Sequence, residues 1–293
     1  MSAVNPRSKH LHAVLYVSGA VALFAAADAL AKYLGQLYPI PFVVWARYVS
    51  QCLAMVLIFA PRLRWDLVQS ENRKVHLIRG LLLWATTALF FASLNFMPLA
   101  DASAIAFMSP LIVVILSRTM LGEPVSSKIW LCCFVAVLGM IAIIRPGTGS
   151  FSLAALLPAA SALCYAVYQI LTRTVSARDS IVVVLFLPTL VASSISTLSV
   201  PFFFHAPTAT GAIALAGLGA LGGGAHLMLT KALRSAPASL IASLMYSQLG
   251  WAVLLGYVVF NDLPDRIAVF GILMIGAASF YAVKDHDAVK AHD

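Results

Sequence analysis

The chain has 293 residues, of which 61% are hydrophobic and 10% are charged, and its formal net charge is +8. Ordinary soluble domains carry about 25% charged residues, so this composition excludes a water-soluble fold and indicates an integral membrane protein. The basic residues lie in short loops between apolar runs, a distribution that reflects membrane topology rather than nucleic-acid binding. We therefore expect membrane lipids, and no nucleic acid, as partners.

Apolar runs of about 20 residues follow one another along the chain, and no strand-like alternation competes with them. They predict an all-α protein with ten transmembrane helices. The first run, 13–34, is too long for a cleavable signal sequence and is predicted to be retained. The other predicted helices cover about 41–60, 77–96, 100–121, 129–144, 153–172, 181–204, 211–233, 238–260 and 266–283, and 61–79 is the longest polar loop.

The predicted helices divide into two groups of five. Arg145-Pro146-Gly147 is the strongest boundary signal in the chain, and it predicts one unit over 1–146 and another over 147–293. A shift of 139 residues superimposes the punctuation of the two units, which indicates a diverged internal duplication. The shift places Gly80 on Gly219, Pro98 on Pro237, Leu116 on Leu255 and Glu123 on Asp262.

Because five is an odd number, the second unit must enter the membrane from the side opposite to the first. Of the 19 lysines and arginines, 15 fall in predicted loops on the side of the N-terminus and three on the other side. The positive-inside rule therefore predicts that both termini are cytoplasmic. The two units would form an inverted repeat, which is typical of alternating-access carriers with a substrate site near the middle of the membrane.

A family resemblance is carried by residues 98–147, PLADASAIAFMSPLIVVILSRTMLGEPVSSKIWLCCFVAVLGMIAIIRPG. This segment resembles the closing hairpin of the EamA-type repeat in the drug/metabolite transporter superfamily, and the likeness covers nearly the whole chain. The second unit departs from the pattern, with Asn261-Asp262-Leu263-Pro264 in the hairpin. The resemblance implies a secondary transporter that exports small organic metabolites across the inner membrane by alternating access. Within the superfamily the chain is most similar to amino-acid exporters, which implies amino acids with aromatic or large apolar side chains.

Other functions remain open at this point. A carrier of another metabolite or of a drug-like cation fits the same architecture. A membrane-embedded lipid-modifying enzyme needs clustered acids, histidines or a metal site, and the nearest feature is Asp262 with Asp265 in a short loop. A receptor or scaffold would need no polar cavity. We expect that the protein is not an enzyme and binds no metal or cofactor, and the sequence contains no nucleotide-binding loop. We expect a small-molecule substrate, and a monomer or weak homo-oligomer.

Ionisable residues inside the predicted spans are few, and each has two interpretations because such groups are costly in lipid. Asp28 is either a proton or substrate site or an ion pair with Lys32, four residues along the same helix face. Arg47 either pairs with Asp28 or Asp101 across helices or supports packing. His226 either relays protons or is a hydrogen-bonded helix contact.

Stripes of polar and aromatic residues at helical spacing supply the remaining candidates. They are interpreted either as ordinary helix packing or as the lining of one cavity, and their recurrence at repeat-related positions favours the cavity. Pro110 and Pro188 are predicted to weaken their helices and serve gating. The predicted cavity residues are Phe24, Asp28, Trp84, Thr87, Ser103, Tyr165, Tyr168, Gln169, His226, Ser243 and Tyr246.

Overall fold

The fold is given by a computed structural model, which describes residues 6–63, 69–96, 99–144 and 153–260 and helical positions between 266 and 281. None of the described residues lies in a β-strand, so the all-α prediction is confirmed. The predicted boundary at 145–147, Pro98 and the segment 261–265 lie outside the described residues.

Twelve α-helices are described, numbered in chain order. The first six are α1 (Pro6–Gly35), α2 (Ile40–Leu63), α3 (Arg73–Ser93), α4 (Leu99–Ala106), α5 (Met108–Leu121) and α6 (Ser127–Ile144). A 3₁₀ turn, Leu153–Ala155, precedes α7 (Leu156–Ser176), α8 (Ile181–Thr197), α9 (Val200–Phe203), α10 (Ala209–Ser235), α11 (Ala238–Met245) and α12 (Gln248–Phe260).

Several of these helices are membrane spans by their length and composition. Five stretches of the described residues are long and apolar enough: His12–Gly35, Ile40–Phe59, Arg73–Ser93, Ala209–Ser235 and Leu240–Val259. Three shorter apolar helices cover Met108–Leu121, Ser127–Gly139 and Ile181–Thr197. Large apolar side chains of these spans, such as Leu57 and Ile213, are 76% and 73% exposed, which suits contact with lipid. The total of ten spans stays a prediction.

The predicted fourth helix is divided into α4 and α5, and the division falls at Phe107 rather than at Pro110. A proline ring clashes with the carbonyl four residues earlier, which belongs to Ala106, the last residue of α4. Pro110 itself lies in the first turn of α5, where no backbone N–H has a partner within the helix. The proline therefore ends the preceding helix and is tolerated at the start of the next.

The predicted ninth helix is also divided, between α11 and α12, although it contains no proline at the division. The Ser247 hydroxyl donates to the carbonyl of Leu244 at 2.7 Å, and such a side-chain bond competes with the helical backbone bond. Beyond it, the backbone N–H groups of Leu249 and Gly250 donate to carbonyls three residues earlier. Tyr246, at this turn, lies 139 residues after Phe107, so both units are divided at the equivalent position.

Other predicted boundaries also differ from the structure, and two of them are instructive. The third helix begins at Arg73 and not at Leu77, so its first turn consists of residues that the sequence analysis assigned to the polar loop. The seventh ends at Thr197, and a separate short helix follows. The Thr197 hydroxyl donates to the carbonyl of Ser193 at 2.8 Å, and Pro201, which lacks an N–H, lies in the first turn of the next helix.

The two units interlock closely. In the first unit α1 and α2 pack against α10, and α3 packs against α7 and α8. Small residues permit the approach: a Cβ added to Gly80 on α3 would lie 3.0 Å from the carbonyl oxygen of Pro188 and closer still to Val191. The interior between the units is therefore formed by helices from both.

Candidate functional site

A cavity lies in the interior where the two units meet. Its wall includes seven of the residues that the sequence marks for the cavity or for gating: Phe24, Asp28, Thr87, Ser103, Pro110, Tyr165 and His226. They come from α1, α3, α4, α5, α7 and α10, so helices of both units contribute. Arg47, which the sequence analysis weighed between ion pairing and packing, also lines it, as does Ser161 in the same helical stripe as Tyr165. Wall residues that the sequence did not mark include Thr86, Ser109, Met245 and Gln248.

The other marked residues lie away from this wall. Trp84 packs beside an apolar cluster to which helices of both units contribute, and Ser243 is buried in α11. Tyr168 lies one layer behind the wall, where its ring stacks on Tyr165 with centroids 6.2 Å apart. The remaining three are Gln169, which is buried with no hydrogen bond to its side-chain amide, Tyr246, whose ring lies 6.5 Å from Phe107, and Pro188, inside α8.

The wall repeats itself with the 139-residue shift. Thr87 corresponds to His226, Ala106 to Met245 and Ser109 to Gln248, and all six line the cavity. Each pair takes one residue from each unit. Gln248 is the counterpart of Ser109 in the second unit, so the 139-residue repeat relates these two wall residues in the sequence.

Aromatic rings form one side of the cavity. The ring of Phe24 meets His226 edge to face with centroids 5.0 Å apart, and it meets Tyr165 in the same way at 6.3 Å. Such pairs contribute about 0.5–1.5 kcal/mol beyond the burial of their surface. The wall is therefore a packed aromatic surface that crosses from one unit to the other.

Two opposite charges face the cavity. Asp28 accepts a hydrogen bond from Nε2 of Gln248 at 3.3 Å, and the charge of Arg47 acts on its carboxylate. Arg47 is 4% exposed, and its guanidinium lies over the rings of Phe91 and Tyr48 at 5.4 and 5.8 Å. The side chain of Asp101, the other predicted partner of Arg47, lies outside the described residues.

A polar cluster closes one end of the interface between the units. Arg79 on α3 is fully buried and donates to Thr172 Oγ1 on α7 at 3.0 Å, and its guanidinium lies 5.0 Å from the ring centroid of Tyr168. Arg79 also donates to the carbonyl of Val184 on α8 at 3.0 Å. That carbonyl has no helical donor, because the residue four positions later is Pro188.

The same cluster continues through a histidine to a loop. Arg79 Nη1 lies 2.8 Å from Nδ1 of His76, and His76 Nε2 lies 2.9 Å from the carboxylate of Asp179. Because a guanidinium can only donate, Nδ1 must accept, and the ring proton resides on Nε2 and points to Asp179. Burial raises the pKa of Asp179, but hydrogen bonds from His76, Ser70 and Asn72 outweigh it and hold that pKa below its ordinary value.

A second contact joins the units nearby. Glu123, in the hairpin after α5, accepts from the backbone N–H of Ala238 at 3.0 Å and from Arg173 Nε at 3.4 Å. Ala238 is the first residue of α11, so the carboxylate satisfies one of the free N–H groups at that helix end. Arg173 in turn donates to the carbonyl of Leu233. We call the end formed by this contact and the Arg79 cluster the closed end.

The cavity lies away from the closed end along several helices. In α3 the cluster occupies the first turns and the cavity wall the later ones, and in α7 the order is reversed. In α1 the wall residues Phe24 and Asp28 are in the second half of the helix. The sequence analysis missed the closed end, because its contacts join residues about a hundred positions apart, as Arg79 and Thr172 do. A buried arginine among apolar residues was the available signal.

A helical membrane protein with a polar cavity between two repeated units has the form of a transporter. The sequence model of the EamA-like transporter family matches residues 11–145 and again residues 152–283. The chain therefore belongs to the EamA-like transporter family, and the predicted resemblance is confirmed. The family is one of transporters and not of enzymes.

Curated relatives span most of the chain. An S-adenosylmethionine uptake transporter of Rickettsia bellii is 24% identical over 88% of this chain and 89% of its own. The pseudopaline exporter CntI of Pseudomonas aeruginosa is 26% identical over 87% and 90%. A riboflavin transporter of Vibrio cholerae is 27% identical over 92% and 90%. A solved crystal structure superposes with a TM-score of 0.78 at 21% identity, covering 96% of this chain and 99% of the other, which supports the fold.

Proposed function

We propose that the protein is a secondary carrier that exports amino acids with aromatic or large apolar side chains across the inner membrane by alternating access. The observation that carries the proposal is the cavity between the repeated units, which combines an aromatic wall with one half-buried carboxylate and one buried guanidinium. A carrier must expose such a site to each side in turn. A cavity whose wall is shared by two units changes its access when the units move against each other.

The chemistry of the wall supports an amino acid. Phe24 and Tyr165 offer aromatic faces and edges to an apolar side chain, whereas Asp28 and Arg47 offer opposite charges. A zwitterion carries both charges and no net charge, so the site needs no excess of either sign. S-Adenosylmethionine, the substrate in one relative's name, also carries an amino-acid group. Riboflavin does not, and a related metabolite is therefore the alternative substrate.

The distribution of charge supports an orientation. Arg79, Arg173 and Arg234 all lie at the closed end, where the positive-inside rule places the cytoplasm. In that orientation the structure is closed toward the cytoplasm, and the cavity is nearer to the outer side. Relatives named for uptake and for export both occur, so export rests on the resemblance to amino-acid exporters.

Counterflow in liposomes tests the proposal. Purified protein is reconstituted into vesicles loaded with one unlabelled amino acid, and entry of the same labelled compound is followed for each of the twenty amino acids, S-adenosylmethionine and riboflavin. We expect exchange of phenylalanine, tryptophan or leucine well above that of glycine or serine, without ATP. Exchange of riboflavin or S-adenosylmethionine alone would favour the alternative, and no exchange of any compound would contradict a carrier.

A further inference from the structure

We propose that Arg47, together with the hydroxyl groups of Thr86 and Tyr165, binds the carboxylate of the substrate, and that Asp28 binds its ammonium group. The ligand class is thereby narrowed to compounds that carry both groups, such as α-amino acids. This inference rests on the proposed function and assigns its site. The sequence analysis left Arg47 between an ion pair across helices and a packing role, and the proposal gives it a different role.

The first observation is that the Arg47 guanidinium is buried and makes no hydrogen bond to any residue that the structure describes. Its Nε has no partner, and in the part of the chain that the structure describes no hydrogen bond has this side chain as its donor. Stacking on Phe91 and Tyr48 orients the planar group but satisfies none of its N–H donors. Buried donors are normally paired, so this one indicates a ligand or ordered water.

Two further donors are unsatisfied at the same cavity. The hydroxyl oxygens of Thr86 and Tyr165 are buried, line the cavity wall and have no hydrogen-bond partner. Together with the guanidinium they offer N–H and O–H groups from three helices. A carboxylate has two oxygens and accepts about four hydrogen bonds, and arginine binds it with two of them. The set therefore matches a carboxylate better than a neutral group.

The space for the guanidinium is provided by the opposite unit. A Cβ added to Gly222 on α10 would lie 3.0 Å from both Nε and Nη2 of Arg47. That separation is tighter than ordinary contact, so glycine at this position lets the guanidinium lie against the helix. The arginine is held from both units and kept at the wall.

Asp28 provides the complementary charge. Gln248 donates to its Oδ2, and among the described residues no other side chain donates a hydrogen bond to this carboxylate. The described residues show no direct ion pair between Asp28 and Arg47, although both side chains line the same cavity as Tyr165. The two charges are thus near each other and not in contact. An amino-carboxylate placed between them satisfies both, with its side chain toward Phe24.

Three labelled probes separate the two roles: L-phenylalanine, 2-phenylethylamine, which lacks the carboxylate, and 3-phenylpropionate, which lacks the ammonium group. Equilibrium binding to purified protein is measured for each. We expect Arg47→Gln to weaken L-phenylalanine and 3-phenylpropionate binding by about tenfold or more and to leave 2-phenylethylamine unchanged. Asp28→Asn should do the reverse for the two single-group probes, weakening 2-phenylethylamine and sparing 3-phenylpropionate.

Tyr165→Phe and Arg118→Gln complete the set. The first removes one hydroxyl, keeps the ring stacked on Tyr168, and should weaken L-phenylalanine several-fold while sparing 2-phenylethylamine. If the Arg47→Gln variant does not fold, the Tyr165→Phe variant tests whether these groups bind the substrate carboxylate. Arg118 is exposed at the far end of α5, so its substitution is the matched control and should change none of the three affinities.

The outcomes distinguish the site from the function. If the wild-type protein exchanges L-phenylalanine but each substitution weakens all probes equally, or none, the site assignment is wrong and the proposed function stands. If the wild-type protein exchanges another amino acid, its decarboxylated and deaminated analogues replace the probes. If it exchanges no amino acid, the proposed function fails and the assignment fails with it.

Discussion

Arg79 and Arg47 are both buried arginines at the interface between the two units, and they are bonded in opposite ways. Arg79 is fully buried and donates to Thr172, to the Val184 carbonyl and toward His76. Arg47 is equally remote from solvent and makes no side-chain hydrogen bond among the described residues. Burial alone therefore does not separate Arg79, which has a structural role, from Arg47, which we propose binds a ligand, whereas the number of hydrogen-bonded donors does.

The same difference separates the two ends of the interface. At the closed end the polar groups of both units meet each other, and the Glu123 carboxylate completes a helix end in the opposite unit. At the cavity the polar groups of both units face open space. A carrier that alternates its access needs this asymmetry, because the closed end must hold until the occupied cavity makes the other arrangement favourable.

The largest effect is expected from removing Arg79. Arg79→Ala leaves the Val184 carbonyl and Nδ1 of His76 buried without donors, which should lower the free energy of unfolding by roughly 2–5 kcal/mol. Arg47→Ala leaves no hydrogen-bond partner behind and should cost much less. Thermal unfolding of the two purified variants in detergent measures the difference. Equal losses would show that the two arginines do not differ in structural role.

The next effect contrasts the cavity wall with the packing behind it. Phe24→Ala removes a ring that lines the cavity and should weaken L-phenylalanine binding by about three- to tenfold. Trp84→Ala, away from the wall, should leave the affinity unchanged. Binding of labelled L-phenylalanine, with protein yield and unfolding temperature as controls, tests the pair. A larger loss in the tryptophan variant would place the site elsewhere.

A smaller effect is expected when the closed end is loosened. Asp179→Asn removes the carboxylate that accepts from His76, so this end should open more often. A cysteine at Ser176, in a background without native cysteines, should then react roughly threefold faster or more with an impermeant thiol reagent in inside-out vesicles. A cysteine at Thr210, on the predicted outer side, is the control and should react only in right-side-out vesicles. The reverse labelling would overturn the predicted orientation.

The smallest effect concerns the hairpin contact. Glu123→Gln keeps the shape of the side chain but removes the charge that faces Arg173 and the first N–H of α11. We expect a loss of about 1 kcal/mol, as for other helix-capping residues. Glu71→Gln, an exposed glutamate near the same end, is the matched control. A shift in unfolding temperature equal to the control would show that the contact contributes nothing to stability.

The helices were predicted from hydropathy, which is a local signal. The duplication was predicted from glycines and prolines that recur at a fixed spacing of 139 residues. Pro110 marked a division that the structure places three residues earlier, at Phe107, directly after the Ala106 carbonyl that the proline ring excludes. The division at Tyr246 has no proline, and its equivalence to Phe107 by the 139-residue shift is seen only once the structure places the first division. Where a proline lies near the division of a helix, the proline alone predicts the position of that division to within one helical turn.

The candidate site was predicted less completely. Helical stripes identified Tyr165 and Phe24, since wall residues repeat along one helix face. The same stripes also included Trp84 and Ser243, because packing between helices follows the same period. Contacts such as Arg79 with Thr172 depend on how the two units dock. No local pattern encodes that arrangement.

Pro188 makes the rigidity of one helix depend on its neighbour. The carbonyl it leaves free in α8 is held by Arg79, which belongs to α3 in the other unit. While the closed end is intact, α8 thus has a substitute for its missing backbone bond. If the units part at this end, α8 loses that bond and becomes easier to bend at the moment when movement is required. The stiffness of α8 would then depend on whether α3 of the opposite unit is in contact with it.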